Sequence, residues 1–174
     1  PPAMSFSELV STLLFLRTYF PAEPGIWASG VPIGHLWSLN VEEHSYLLMS
    51  LLVLLRWPRA GVGLGLIGLG TLCIGIGFVY VRMGDGAPRF AELQTEVAAA
   101  HLLVAAGYRL WRDRTARWVP PWLPLLTLTA GVVCYTSLTP WWASRLLAPC
   151  LLACTVNHLA ESAHAFRALL TLPW

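Results

Sequence analysis

The stretch AGVGLGLIGLGTLCIGIGFVYV, residues 60–81, carries no charge between Arg59 and Arg82. A bilayer core about 30 Å thick is crossed by about 20 helical residues, so this run is long enough to span it. Gly63-Leu64-Gly65-Leu66-Ile67-Gly68 matches the dinucleotide pattern GxGxxG, and Asp85 lies downstream. That pattern works only after a strand and at a polar helix opening, and uninterrupted apolarity offers neither. Glycines here are read as permitting close helix packing, with Gly61-x-x-x-Gly65 as the expected contact.

Further apolar runs flank it. Asn40–Trp57, Thr95–Trp111, Trp122–Leu138 and Trp142–Leu159 are each near spanning length, the last interrupted by Arg145 and Pro149. Leu9–Phe20 is shorter and contains Arg17, the size of an interfacial or re-entrant helix. The fold expected is an all-α polytopic membrane helix bundle of about five spans plus that short N-terminal helix. Basic turns at Arg56–Arg59 and Arg109–Arg117 mark the cytoplasmic side. The mixed segment Arg82–Glu96 and the uncharged turn Thr139-Pro140-Trp141 then lie outside, as does Pro21–Trp37. Tryptophans 27, 37, 57, 111, 118, 122, 141 and 142 cluster at the span ends, where an amphipathic ring suits the headgroup layer.

Composition agrees with this solvent. Of 174 residues, 56% are hydrophobic and 11% charged, against roughly a quarter charged in soluble domains. The net charge of +2 and the absence of a basic run exclude nucleic acid as a partner. Cys73, Cys134, Cys150 and Cys154 all lie in apolar stretches and read as small buried hydrophobes. Cys150, Cys154 and His158 share a helical stripe, but no fourth ligand accompanies them, so no metal is expected. The chain begins Pro1-Pro2-Ala3 and stops at Pro173-Trp174, and is expected to be the middle of a longer one.

The richest polar cluster runs from Gly34 to Tyr46, at the external start of a span. Asn40 and Glu43 approximate a capping box, which accounts for Glu43 structurally. Glu42 and Tyr46 are four apart and share a helix face, with His35 and Ser38 above them. A carboxylate, an imidazole and a phenol beside an interface can grip a substrate or tune a proton acceptor. His101 lies about two turns inside its span, where it is either a functional group or a neutral imidazole bonded to a neighbouring helix. Arg109, Arg112, Arg114 and Arg117 are suited to phosphate, and equally to topology signalling and anionic lipid.

HLWSLNVEEHSYLLMSLL, residues 35–52, resembles the signature of the membrane acyltransferase 3 family, the O-acetyltransferases of cell-surface polysaccharides and lipopolysaccharide. His35, Leu36, Trp37, Ser38, Leu39, Glu42, Glu43, Tyr46 and Leu47 fall on the pattern, and Leu13–Phe20 resembles the short helix preceding it. Ser45, Ser50 and Thr18 depart from the usual residues. Thr95–His101 lacks the Arg and Asp of a later family segment. The detailed match covers residues 13–57.

The resemblance implies a single partial domain lacking the family's first and last spans, in the bacterial inner membrane. It implies transfer of an acyl group, commonly acetyl, from a cytoplasmic donor such as acetyl-CoA or another acyl-CoA to a hydroxyl of a surface glycan. Membrane lipid, the glycan acceptor and the acyl donor are the partners. Glu42 is expected to hold a catalytic His from an upstream helix, with Tyr46 and Ser38 in support. His35, Trp37, Glu43 and His101 are the expected substrate-binding residues. Without the upstream helix the isolated chain is expected to be inactive. The rival expectation is a transporter or flippase module, in which broken spans and midplane polar groups form a substrate path.

Overall fold

A computed structural model of the chain describes residues 4–21, 36–115, 120, 122–134 and 147–162. Among them every regular element is helical. The helices are α1 (Phe6–Leu13), α2 (Trp37–Leu54), α3 (Arg59–Met83), α4 (Thr95–Ala98), α5 (Ala100–Thr115), α6 (Leu123–Cys134) and α7 (Ala148–Ser162), with short 3-10 turns at Gly84–Gly86 and Ala91–Leu93.

Helix α3 continues through its terminal turn as Arg59–Gly86, and is the one element among the described residues long and apolar enough to cross a membrane. Of the five or so expected spans, this one alone is seen as a helix of spanning length among the described residues. At 1.5 Å per residue, the described parts of α5, α7 and α6 extend about 24, 22 and 18 Å respectively. Helix α2 is 18 residues long, but Asn40, Glu42, Glu43, His44 and Ser45 make its first half polar. The expected span from Thr95 breaks at Ala99 into α4 and α5. Only 33% of the apolar window of α3 is buried by the rest of the protein.

Helices α3 and α5 pack antiparallel, and this pair dominates the structure; α5 also meets α7, which pairs with α6. The buried stripe of α3 is Val62, Gly63, Leu66, Gly70 and Gly77, which follows helical spacing along one face. A Cβ on Gly63 would stand 3.0 Å from the Gly107 carbonyl oxygen, and one on Gly70 would stand 3.0 Å from that of Ala100. Gly61 and Gly65 instead make ordinary contacts with Pro58 and Trp57. The close-packing glycines are thus Gly63, Gly70 and Gly107. The expected Gly61/Gly65 pair faces away because it lies on the other side of the same helix. Val41 from α2 joins Val62, Leu66, Ala99 and Leu103 in the core, with Trp37, Leu48 and Leu52 packed around it.

The N-terminal run does not form one helix from Leu9 to Phe20. A capping box between Ser5 and Glu8 starts α1, and the chain leaves the helix at Leu14, with Phe15 in the left-handed region at φ 57°. Arg17 then turns inward and pairs with Glu8 at 3.4 Å, the two side chains only 2% and 4% exposed. Asn40 is not the N-cap of α2, which is Leu36; it lies inside the helix and is buried. Oriented by its partners, the Asn40 amide donates to the Leu36 carbonyl at 3.3 Å and accepts from the Arg17 backbone N–H at 3.2 Å. Burial of such an amide requires this satisfaction. The bond also fastens the turn after α1 to α2, which brings Tyr19 to the site described next.

Candidate functional site

At the end of the bundle where α2 begins and α3 finishes, five polar side chains from four segments converge. Tyr19, on the turn after α1, donates its hydroxyl to Glu96 Oε2 at 2.5 Å. Tyr80, near the end of α3, donates to Glu96 Oε1 at 3.4 Å. The backbone N–H of Thr95 donates to the Tyr19 oxygen at 2.9 Å. His44, two turns into α2, places Nδ1 2.8 Å from Thr95 Oγ1, and its ring lies 6.5 Å from that of Tyr19.

Each element contributes for a local reason. Thr95 is the first residue of α4, so it has no carbonyl four positions back within its own helix, and its hydroxyl is directed to the imidazole instead. Ser45, Thr71, Thr127 and Thr155 all bond the carbonyl of the preceding turn, the usual outcome inside a helix. Glu96 then receives two phenols, and hydrogen bonds to an ionised acceptor are the stronger kind. Partial burial and the Glu96 carboxylate push the Tyr19 hydroxyl above its ordinary value of 10.0. Tyr19 therefore remains a neutral donor at physiological pH.

The network borders an open cleft of about 510 Å³, lined by Leu16, Tyr19, His44, Leu48, Cys73, Thr95, Glu96, Ala99 and Leu103. Its lining combines the polar Tyr19, His44, Thr95 and Glu96 with aliphatic side chains, so it suits a molecule with a reactive polar head and an apolar portion. Acid, base and hydroxyl are all within reach of one such ligand.

The residues singled out from the sequence are placed differently. Glu42 is half-buried on α2, while Glu43, Ser38 and Tyr46 are exposed, Tyr46 by 52%. Among the described residues no hydrogen bond or ion pair joins Glu42 to Tyr46. Trp37 packs against the core cluster. His101 is half-buried on α5, its ring bonded to the backbone of Ala98 in its own segment. His35 lies outside the described residues, as do Arg117, Arg145, the turn at Thr139–Trp141 and Arg167–Trp174. The basic residues of α5 do not act as one patch. Arg112 is buried and donates to the Asn157 carbonyl of α7 at 3.2 Å, whereas Arg109 and Arg114 are exposed. His158 faces the Tyr108 hydroxyl at 3.3 Å and lines a small cavity of about 180 Å³ with Cys154, Thr127 and Thr155. Among the described residues no three His, Cys, Asp or Glu side chains come together as a metal site would require.

Sequence reading missed Tyr19, His44, Tyr80, Thr95 and Glu96 as a set. Tyr19 and Glu96 are 77 positions apart, and no local periodicity connects residues at that distance. The one available signal was a Thr-Glu pair opening an apolar run. Comparison with known protein families, with characterised proteins and with solved structures gives no match.

Proposed function

We propose that the chain is part of an integral-membrane O-acyltransferase. It moves an acyl group, acetyl in the simplest case, from a cytoplasmic acyl-CoA to a hydroxyl of a cell-surface glycan. The observation that carries this reading is the carboxylate, phenol, imidazole and hydroxyl network lining an apolar cleft. Its imidazole, His44, belongs to the stretch resembling the acyltransferase signature. Acyl transfer needs a base for the attacking hydroxyl and donors for the oxyanion that develops on the carbonyl. His44 and Glu96 are suited to the first task; the phenols serve the second once they turn from Glu96 to the oxyanion, and the aliphatic lining accommodates the acyl portion.

A multi-pass arrangement in a bacterial inner membrane belongs to the same proposal. Its support is the apolarity of α3, two thirds of whose window is left uncovered, and the exposed Leu47, Leu51, Val53 and Leu54 of α2. Short helices such as α5–α7 are accommodated by neighbouring spans and local thinning. Antiparallel packing of α3 and α5 places Arg59 and Arg112 at one end and the network at the other, which suits a site facing away from the cytoplasm. Glu42, with Ser38 and Tyr46, is assigned to positioning a histidine of another segment, and His35, Trp37, Glu43 and His101 to substrate contact.

The test is acetylation of surface glycan by membranes carrying the complete protein and labelled acetyl-CoA. Glu96→Gln and Glu42→Gln are each expected to lower the rate by a hundredfold or more, within the range of a lost acid or base. Wild-type rates in both variants would refute the reading. A second reading is a transporter or flippase module, with His101 as a polar group within the apolar run that begins at Thr95. Glycan movement across vesicles without acylation would select it.

A further inference from the structure

We infer that Thr95 is itself an acyl acceptor, activated by His44, so that transfer proceeds in two steps through an acyl-threonine ester. The inference rests on the acyl-transfer reading and adds a nucleophile to it. Thr95 Oγ1 and His44 Nδ1 are 2.8 Å apart, the separation required of a nucleophile and its base. Both side chains line the cleft together with Leu16, Leu48 and Leu103, where an acyl chain has room. Other helical hydroxyls, those of Ser45, Thr71 and Thr155, are bonded to the carbonyl four residues back. The Thr95 hydroxyl instead bonds the imidazole. Its position is fixed from behind, because the Thr95 N–H is held by Tyr19, which in turn donates to Glu96. Such fixing is what converts a weak hydroxyl into an oriented nucleophile.

In the first step Thr95 Oγ1 attacks the carbonyl carbon of a thioester brought to the network end of the bundle, while its proton passes to His44. The carbon–sulfur bond breaks, and the departing thiolate takes the proton from His44, leaving a free thiol and an ester on Thr95. In the second step His44 removes the proton of the acceptor hydroxyl, whose oxygen attacks the ester. The bond to Thr95 breaks, and the threonine oxygen recovers its proton from His44. No oxidant, reductant or metal enters the balance.

The first half-reaction is tested directly with p-nitrophenyl acetate on the complete protein in nonionic detergent. The expected result is a burst of p-nitrophenolate and a gain of one acetyl group, located on Thr95 by peptide mass spectrometry. Thr95→Val abolishes the adduct, Thr95→Ser retains it, and His44→Gln slows its formation at least tenfold. Melting curves of the three variants establish that they are folded. No acetyl group on Thr95 of the wild type, or an unchanged rate in His44→Gln, would overturn the inference. Full glycan acetylation by the complete protein carrying Thr95→Val would overturn it too, while leaving acyl transfer intact. An adduct on Thr95 in a protein that transfers nothing from acetyl-CoA would support the nucleophile and refute the donor.

Discussion

Replacing Gly107 by alanine is the sharpest test of how α3 and α5 are held together. A Cβ at this position would stand 2.6 Å from the Gly63 carbonyl oxygen and 2.8 Å from the Ile67 backbone nitrogen. Both obstacles are backbone, so no side chain can rotate away. Relief requires the helices to part by roughly 0.7–1 Å, a gap that forfeits about a quarter to a half of the dispersion energy at each contact it opens. Overpacking of this kind costs about 1–3 kcal/mol; with two backbone clashes the upper part of that range applies. Alanine recovers about 1 kcal/mol of helix propensity, leaving a net loss of about 1–2 kcal/mol. For a chain of this size that corresponds to a fall of roughly 2–8 °C in melting temperature. Gly68→Ala and Gly75→Ala are the controls, since nothing lies within 4 Å of a Cβ at either position. They should melt at or above the wild-type temperature, by up to about 4 °C. The assay is thermal unfolding in detergent, followed by circular dichroism. If Gly107→Ala melts with the controls, the helices do not approach through this glycine and the packing argument fails.

Glu8→Ala removes the carboxylate paired with the buried Arg17, which keeps its bond to the Pro21 carbonyl, and opens the capping box of α1; it is expected to cost about 3–5 kcal/mol. The double variant Glu8→Leu/Arg17→Met should melt closer to wild type than Glu8→Ala does, and a double variant less stable than the single would refute the desolvation argument. Tyr19→Phe removes a donor to an ionised carboxylate and should destabilise the protein by about 1.5–3 kcal/mol in the same melting assay. Because the folded state raises the Tyr19 pKa above 10.0, the folded protein holds the phenolic proton to higher pH than the unfolded chain does. The associated stability is complete below pH 10.0 and is lost as pH rises through the folded value. Alkaline melting curves of wild type should therefore fall more steeply above that point than those of Tyr19→Phe. Parallel curves would show that Tyr19 does not titrate with folding.

Helix content was legible because apolar blocks and their flanking charges are local properties. The Arg59–Arg82 stretch needs no partner to be recognised as a long apolar helix. Span count was less legible: a window of apolar residues does not reveal that Ala99 interrupts the run from Thr95. The capping box was expected at Asn40–Glu43 and occurs at Ser5–Glu8, since both stretches satisfy the same short pattern. At Asn40 the competing tie to Arg17 and Leu36 is a tertiary contact, and it draws the residue into the interior of α2.

By itself the sequence determined the all-helical class and the long apolar helix from Arg59, because hydropathy and charge spacing act over a few turns of one helix. Tertiary structure decided which glycines touch and which polar residues meet. Gly63 and Gly70 face α5 while Gly61 and Gly65 do not, a matter of rotation about the helix axis that only a packed partner fixes. Glu96 gathers Tyr19 and Tyr80, and Thr95 meets His44, because the turn after α1 and the break at Ala99 bring four distant segments together.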